Sequence, residues 1–358
     1  MEPLRIVALD GDETGQELLE QSLRVLDPDV LGTALEVERF DLSLLNRRAT
    51  NNEVCAEAAK RMAETGLGLK AATITPEGAD DVGSPNRILR EAIGGKVIMR
   101  TGRRIPGITP VAGVHHPIAV CRMAVGDAYG AEQWREGEGA EEVALRTERI
   151  VRGDCTAVAE FAFREADRIG GRVYGGPKWT VSPVYEGMLK EEMDAAAERH
   201  PDIAYQPVLI DATLAGLVSG AASEPLVIPC LNRDGDLLSD LVLPLFGSIA
   251  GAESVLLALD ADLNPSAAMA EAPHGTAPAL LGKDLANPMA MILAVAALLH
   301  YGGADRPSRA IYEAVLETVA SGVRTPDLKG HAGTTEFTDA VIAAVQRKLE
   351  VRSTLHSA

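Results

Sequence analysis

Asp236 and Asp240 stand four residues apart in the run Asn232-Arg-Asp-Gly-Asp236-Leu-Leu-Ser-Asp240. On a helix this spacing puts both carboxylates on one face, where like charges weaken the helix by roughly 0.2–0.5 kcal/mol. Apolar Leu237, Leu238 and Leu241 beside them raise the cost of an uncompensated charge. A divalent cation would remove both penalties. Oxygen ligands without a neighbouring His or Cys suit Mg²⁺ or Mn²⁺ better than Zn²⁺. The same pair also fits a solvated acidic helix start, which the helix dipole favours. Asp211, after a predicted strand at 208–210, is a candidate third ligand or a plain helix cap.

A second group of residues is basic. Ser84-Pro85-Asn86-Arg87-Ile-Leu-Arg90 opens a predicted helix at Ser84, where backbone N–H groups attract anions. Arg100 and Arg122 each end a predicted strand. Guanidinium forks take carboxylates in bidentate fashion, so Arg90, Arg100 and Arg122 are either one polyanion clamp or three unrelated surface arginines. Tyr129 is a candidate acid, and Lys178 beside it would lower its pKa. The alternatives are a packed loop tyrosine and a solvated lysine. Glu271-Ala-Pro-His274-Gly275-Thr276-Ala277-Pro278 is a small-residue loop that lets backbone approach a ligand.

The elements that must position these groups alternate. A strand at 4–9 meets an Asp-Gly-Asp turn and a helix at 14–26. Helices follow at 53–65 and 84–93, with strands ending at 75–76 and spanning 96–99. Residues 130–139 read as a polar loop, 157–168 as a helix with Val158, Phe161, Ala162 and Ala166 inward, and 225–230 as a strand. Asn287-Pro288 opens a helix with a cap and a first-turn proline. Gly66-Leu-Gly68-Leu-Lys-Ala71 mimics a dinucleotide fingerprint but follows a helix, so it lacks the required context.

The 358 residues suggest about two domains. A net charge of -18 argues against nucleic-acid or anionic-membrane partners. The four cysteines are scattered and the N-terminus lacks a signal-peptide pattern, which predicts a cytoplasmic protein. The longest apolar run, 289–299, is too short to span a bilayer.

Taken together, these strings resemble the isocitrate/isopropylmalate dehydrogenase family over residues 5 to 343. The matches are Asp10-Gly-Asp-Glu-Thr-Gly15, Leu69-Lys-Ala-Ala-Thr73-Ile-Thr75-Pro76, Ser84-x-Asn86-x-x-x-Arg90, Asn232-x-x-Gly-Asp236-x-x-Ser-Asp240, His274-Gly-Thr-Ala-Pro with Ala286-Asn287-Pro288, and Arg324-Thr-Pro-Asp327. The resemblance implies an α/β isopropylmalate-dehydrogenase-like fold of two α/β domains around a central cleft. Residues 1–98 and 249–358 would form the large cofactor-binding domain. Residues 99–248 would form the small one, with a dimer interface and a clasp near 127–150. It implies an NAD(P)-dependent β-decarboxylating dehydrogenase that works as a homodimer on a small anionic hydroxy acid.

By the same resemblance, Asp236 and Asp240 bind Mg²⁺ or Mn²⁺ with Asp211 of the partner subunit. Ser84, Asn86, Arg90, Arg100 and Arg122 hold substrate carboxylates. Tyr129 and Lys178 of the partner subunit transfer protons. Thr73, Thr75, His274, Gly275, Thr276, Ala277, Pro278 and Asn287 contact NAD or NADP, and Asp327 leans to NAD. Polar Ser84 and Asn86 favour isocitrate over isopropylmalate. A specialised analogue, such as homoisocitrate or a phosphonate mimic like phosphonomethylmalate, is the alternative. A non-catalytic regulatory subunit is the reading from another class, and it would predict loss of Tyr129, Lys178 or the aspartates.

Overall fold

A computed structural model describes residues 3–78, 81–111, 113–220 and 223–356 of the chain. Among the described residues, ten strands form one sheet. They are β1 (Leu4–Asp10), β2 (Leu35–Asp41), β3 (Leu67–Lys70), β4 (Gly95–Gly102), β5 (Ile118–Met123), β8 (Arg172–Gly175), β9 (Tyr205–Pro207), β10 (Leu226–Cys230), β11 (Glu253–Leu259) and β12 (Pro265–Glu271). A separate hairpin pairs β6 (Asp127–Glu136) with β7 (Val143–Arg149). The helices are α1 (Glu13–Val25), α2 (Pro28–Leu31), α3 (Leu44–Ala49), α4 (Glu53–Thr65), α5 (Pro85–Ala92), α6 (Arg152–Ile169), α7 (Tyr185–Arg199), α8 (Ile210–Val218), α9 (Asn232–Leu245), α10 (Met289–Tyr301), α11 (Asp305–Ala320) and α12 (Thr334–His356).

The sheet order is β2-β1-β3-β12-β11-β4-β5-β10-β8-β9. The strands from β2 to β12 are mutually parallel, as are those from β5 to β9. Antiparallel β11 and β4 join the two blocks. Both blocks are covered by helices, so their central strands are largely apolar and wholly buried: every residue of β5 and β10 is buried, Arg122 of β5 included. Edge strand β2 instead carries exposed Glu36, Glu38 and Arg39, which blunt its open edge. Helix α10 is apolar on all sides, and Met289 to Leu299 are all buried, as a central helix requires. No described helix is long and apolar enough to cross a membrane.

Helix α6 buries Val158, Phe161, Ala162 and Ala166, the face expected from sequence. Three expectations need correction. Residues 130–136 belong to β6 rather than a loop; the hairpin stands off the body and is exposed on both faces, so it has no apolar alternation to read. The strand expected at 208–210 ends at Pro207, and Asp211 lies in the first turn of α8. Strand β3 ends at Lys70, well before Thr75.

Gly235, in the first turns of α9, lets that helix press onto β5. A Cβ there would lie 2.7 Å from Cβ and Cγ of Arg122 and 3.1 Å from Cβ of Cys230. The Gly235→Ala protein should therefore lose about 1–3 kcal/mol of stability, read as a lower denaturant midpoint at unchanged slope.

Candidate active site

The turn after β1 fixes one wall of a cleft. A Cβ on Gly11 would lie 2.1 Å from the carbonyl oxygen of Ala72, so only glycine permits this approach. The Asp12 carboxylate accepts from the backbone N–H groups of Leu44 and Ile74, each at 2.9 Å. Arg47 is fully buried and donates to the carbonyls of Leu42 (2.9 Å), Ile74 (2.5 Å) and Gly83 (2.9 Å). These contacts pin both ends of the segment between β3 and α5. Thr73 lies near its start. At its end Ser84 caps α5, accepting from the Asn86 N–H at 3.3 Å.

The opposite wall is the start of α9. The Asn232 side chain accepts from Arg122 Nε (3.0 Å) and Nη2 (2.8 Å) and donates to the Gly126 carbonyl (3.1 Å). Arg122 is 1% exposed, and its Nη1 bonds Asp236. Arg100 Nη1 reaches Asp236 (3.3 Å), Ser239 Oγ (2.9 Å) and Asp240 (3.4 Å). The Tyr129 hydroxyl donates to Asp236 at 2.5 Å, and the Arg122 guanidinium lies 5.2 Å from its ring centre. Asp127, with φ +61°, fixes the turn before Tyr129 by accepting from Arg233 N–H (2.7 Å) and Tyr185 hydroxyl (3.0 Å).

Charges follow from this packing. Burial alone would raise the Asp236 pKa, but Arg122, the Tyr129 hydrogen bond, Arg100 and Arg90 outweigh it and hold the carboxyl below its usual range. Burial and neighbouring Arg90 bring Arg122 down to about 10, with Asp236 opposing the fall. Burial and the bond to Asp236 raise Tyr129. The expected lowering of Tyr129 by Lys178 is thus not found in this chain: its neighbour is a carboxylate.

The floor between the walls is the central sheet. Lys70, Glu271, Ser254 and Arg100 form one registered row across β3, β12, β11 and β4. Lys70 is 2% exposed and bonds Glu271 at 3.1 Å. Burial pushes the Glu271 carboxyl up, yet Lys70 and Arg90 bring it below normal. Lys70, Glu271 and Asn232 stand in the motifs quoted from the sequence but are given no role there. Their signal was a charged residue closing an apolar strand, and the first residue of the Asn-x-x-Gly-Asp run.

Two adjoining hollows of about 280 Å³ each share Asn86, Arg100 and Asp236. One gathers Ser84, Asn86, Arg90, Arg100, Arg122, Tyr129 and Asp236. The other adds Thr73, Asp240, His274 and Gly275. Asn86 Oδ1, Arg100 Nε and His274 Nε2 are buried there without partners, the mark of a ligand site. Larger hollows of about 620 and 540 Å³ lie beside the β6–β7 base and on the far sheet face. The cleft is preferred because it holds buried polar atoms without partners and its acids contact its arginines.

The remaining predicted residues lie around or away from these hollows. Thr75 is exposed, and Thr276 continues the loop from His274. Ala277 has φ +45° and accepts from Thr14 Oγ1 at 2.8 Å, and Pro278 opens a short 3₁₀ turn. Asn287 caps α10 through Met289 N–H (2.9 Å) and donates to Asp327 (3.0 Å). Lys178 and Asp211 line neither hollow; they pair with each other at 2.6 Å. Among the described residues no three His, Cys, Asp or Glu side chains cluster as a metal site. Asp236 and Asp240 fit half of an all-oxygen magnesium or manganese site, which needs a further donor from elsewhere.

An acid pair facing three arginines across a cleft invites comparison with known proteins. The family model for isocitrate/isopropylmalate dehydrogenase matches residues 5–341. The chain belongs to the isocitrate/isopropylmalate dehydrogenase family. It is 32% identical to an NADP isocitrate dehydrogenase of Thermus thermophilus, over 97% of this chain and 69% of that one. It is 29% identical to a 3-isopropylmalate dehydrogenase of Methanothermobacter thermautotrophicus, over 98% and 100%. The solved isocitrate dehydrogenase of Methylococcus capsulatus shares the fold, with a TM-score of 0.84 at 23% identity over 96% and 99% of the two chains. The α/β fold of this family is borne out, as is the assignment as an NAD(P)-dependent β-decarboxylating dehydrogenase.

The two aspartates should differ in stability. Asp236→Asn leaves buried Arg122 short of its counter-charge and should cost about 3 kcal/mol, whereas exposed Asp240→Asn should cost under about 1 kcal/mol. Because the Asp236 pKa is depressed on folding, its contribution is present above the ordinary carboxylate pKa. It is lost as pH falls through the folded value. Asp236→Asn should accordingly flatten the acid limb of a stability–pH curve measured by urea unfolding.

Proposed function

We propose that this dehydrogenase oxidatively decarboxylates a malate carrying an anionic group at C3, isocitrate being the simplest. The observation that carries this reading is the convergence of Arg90, Arg100 and Arg122 with Ser84 and Asn86 in one hollow. An isopropyl arm would offer the Arg90 and Arg100 guanidinium groups no hydrogen-bond acceptor.

Charge balance points the same way. Three arginines and a divalent ion set against two aspartates leave three positive charges, which a tricarboxylate would neutralise. In a homodimer Asp211 of the partner subunit would complete the oxygen donor set and Lys178 of the partner subunit would assist transfer of the proton leaving the C2 hydroxyl, their opposite charges leaving this balance unchanged. When bound, the ion supplies Lewis-acid polarisation at the substrate C2 oxygen, and the nicotinamide accepts the hydride.

This chain's residues do the rest. The arginine forks fix the carboxylates and so orient C2 and C3. Tyr129, kept protonated by its raised pKa, holds a proton over the position of C3 and delivers it there after decarboxylation. Residues 1–98 and 249–358 would carry the cofactor and 99–248 the substrate clamp, hinged where β4 and β11 cross the sheet. The exposed Asp327 carboxylate, bonded to Asn287, disfavours a 2′-phosphate and favours NAD over NADP. Four unpaired buried thiols suit a reducing compartment such as the cytoplasm.

The test is NAD(P)H formation with Mn²⁺ on a panel of 3-substituted malates. Isocitrate or another C3-anionic malate should exceed 3-isopropylmalate in kcat/KM by at least about 10²-fold. Asp240→Asn should abolish turnover while the protein stays folded. Preference for isopropylmalate, or activity that survives Asp240→Asn, contradicts this reading.

A further inference from the structure

Ser254 carries a hydroxyl on the floor of the cleft that the mechanism above does not use. It sits in β11 between Arg100 of β4 and Glu271 of β12, each its direct cross-strand partner. Glu253 and Val255 line the far-face hollow together with Met99 and Thr101, so Ser254 and Arg100 share the cleft face. Ser254 is 1% exposed, and its Oγ has no hydrogen-bond partner. Arg100 Nε, on the directly opposite residue, is also buried and unpartnered. Side chains opposed in this way have Cβ atoms about 4.5–5.5 Å apart, within reach of one hydrogen bond.

The contrast with the far face is informative. There Arg103 pairs with Glu253, Arg168 with Glu165, and His300 with Asp305. On the cleft face a buried donor and a buried hydroxyl lie side by side unused, while Arg100 leans its Nη1 onto Asp236, Ser239 and Asp240. This pose fits an empty clamp. A carboxylate that takes the outer edge of the guanidinium would draw it away from the acids and leave Nε facing the sheet.

We propose that Ser254 is a positioning residue for substrate binding: its oxygen accepts from Arg100 Nε and its proton goes to Glu271, which locks the arginine in its carboxylate-holding pose. The proposal rests on the reading of the cleft as a substrate clamp. It adds a residue on β11 that touches neither reacting carbon nor cofactor.

The experiment compares wild type with Ser254→Ala and Ser254→Thr, using the best malate of the panel with Mn²⁺ and NAD. Ser254→Ala should raise KM for the malate about tenfold, with kcat and KM for NAD changed less than about twofold, since one charge-assisted hydrogen bond is lost from substrate binding. Its thermal midpoint should stay within about 2 °C of wild type, because the hydroxyl is unpartnered in the free protein. Ser254→Thr, which keeps the hydroxyl, should restore the malate KM. Calorimetric affinity for the same malate provides a second readout that needs no turnover, and should fall by the same factor in Ser254→Ala alone. An Ala variant with unchanged malate KM and affinity overturns the proposal. So does a joint rise of both KM values with a lowered midpoint, which would mark a merely structural serine. Wild type that neither turns over nor binds any malate would remove the clamp reading itself; wild type that works while Ser254→Ala matches it removes only the role of Ser254.

Discussion

The cleft depends on neutralising one buried guanidinium. Arg122 is almost fully enclosed, and an ionised group so placed is tolerated only with partners of opposite charge or strong acceptors. Asn232 and Asp236 supply both from the first turns of α9. Gly235 lets that helix come close enough, and the bonds of Asn232 and Asp127 hold the Tyr129 turn beside it. The site is thus built as one electrostatic unit, with acids on α9, arginines from α5, β4 and β5, and a tyrosine from the base of the hairpin.

That unit gathers three guanidinium groups in one hollow, and it shields Arg100 and Arg122 from solvent. Both features favour a small, multiply charged anion over an apolar ligand. The neighbouring hollow is different in kind. Its loop from Pro273 to Gly275 is open, a Cβ on Gly275 would meet nothing within 4 Å, and burial keeps His274 below its ordinary pKa. A neutral histidine with a spare ring nitrogen beside open backbone suits a flat heterocycle such as a nicotinamide nucleotide.

Much of this was legible in the residues. The four-residue spacing of Asp236 and Asp240 and the cap at Ser84 each follow from a local rule of helices or strands, and the arginines expected to close strands lie just inside the ends of β4 and β5. What stayed hidden had no local signature. The β6–β7 hairpin is polar on both faces, so no apolar period announces it. The Lys70–Glu271 pair joins residues two hundred positions apart through sheet order. Ser254 is one hydroxyl in an apolar strand, and only its register beside Arg100 gives it meaning. The direction of the Tyr129 shift comes first from burial and then from the bond to Asp236, and neither has a local signature in the sequence.

The central claim is that the acids and arginines of the cleft hold each other until an anion separates them. Titration of the wild-type protein with Mn²⁺, followed by the electron paramagnetic resonance of the free ion, tests this directly. Mn²⁺ should bind weakly alone, because Arg100 and Arg122 already occupy Asp236, and at least about tenfold more tightly in saturating isocitrate. Equal affinity with and without the tricarboxylate would contradict the account.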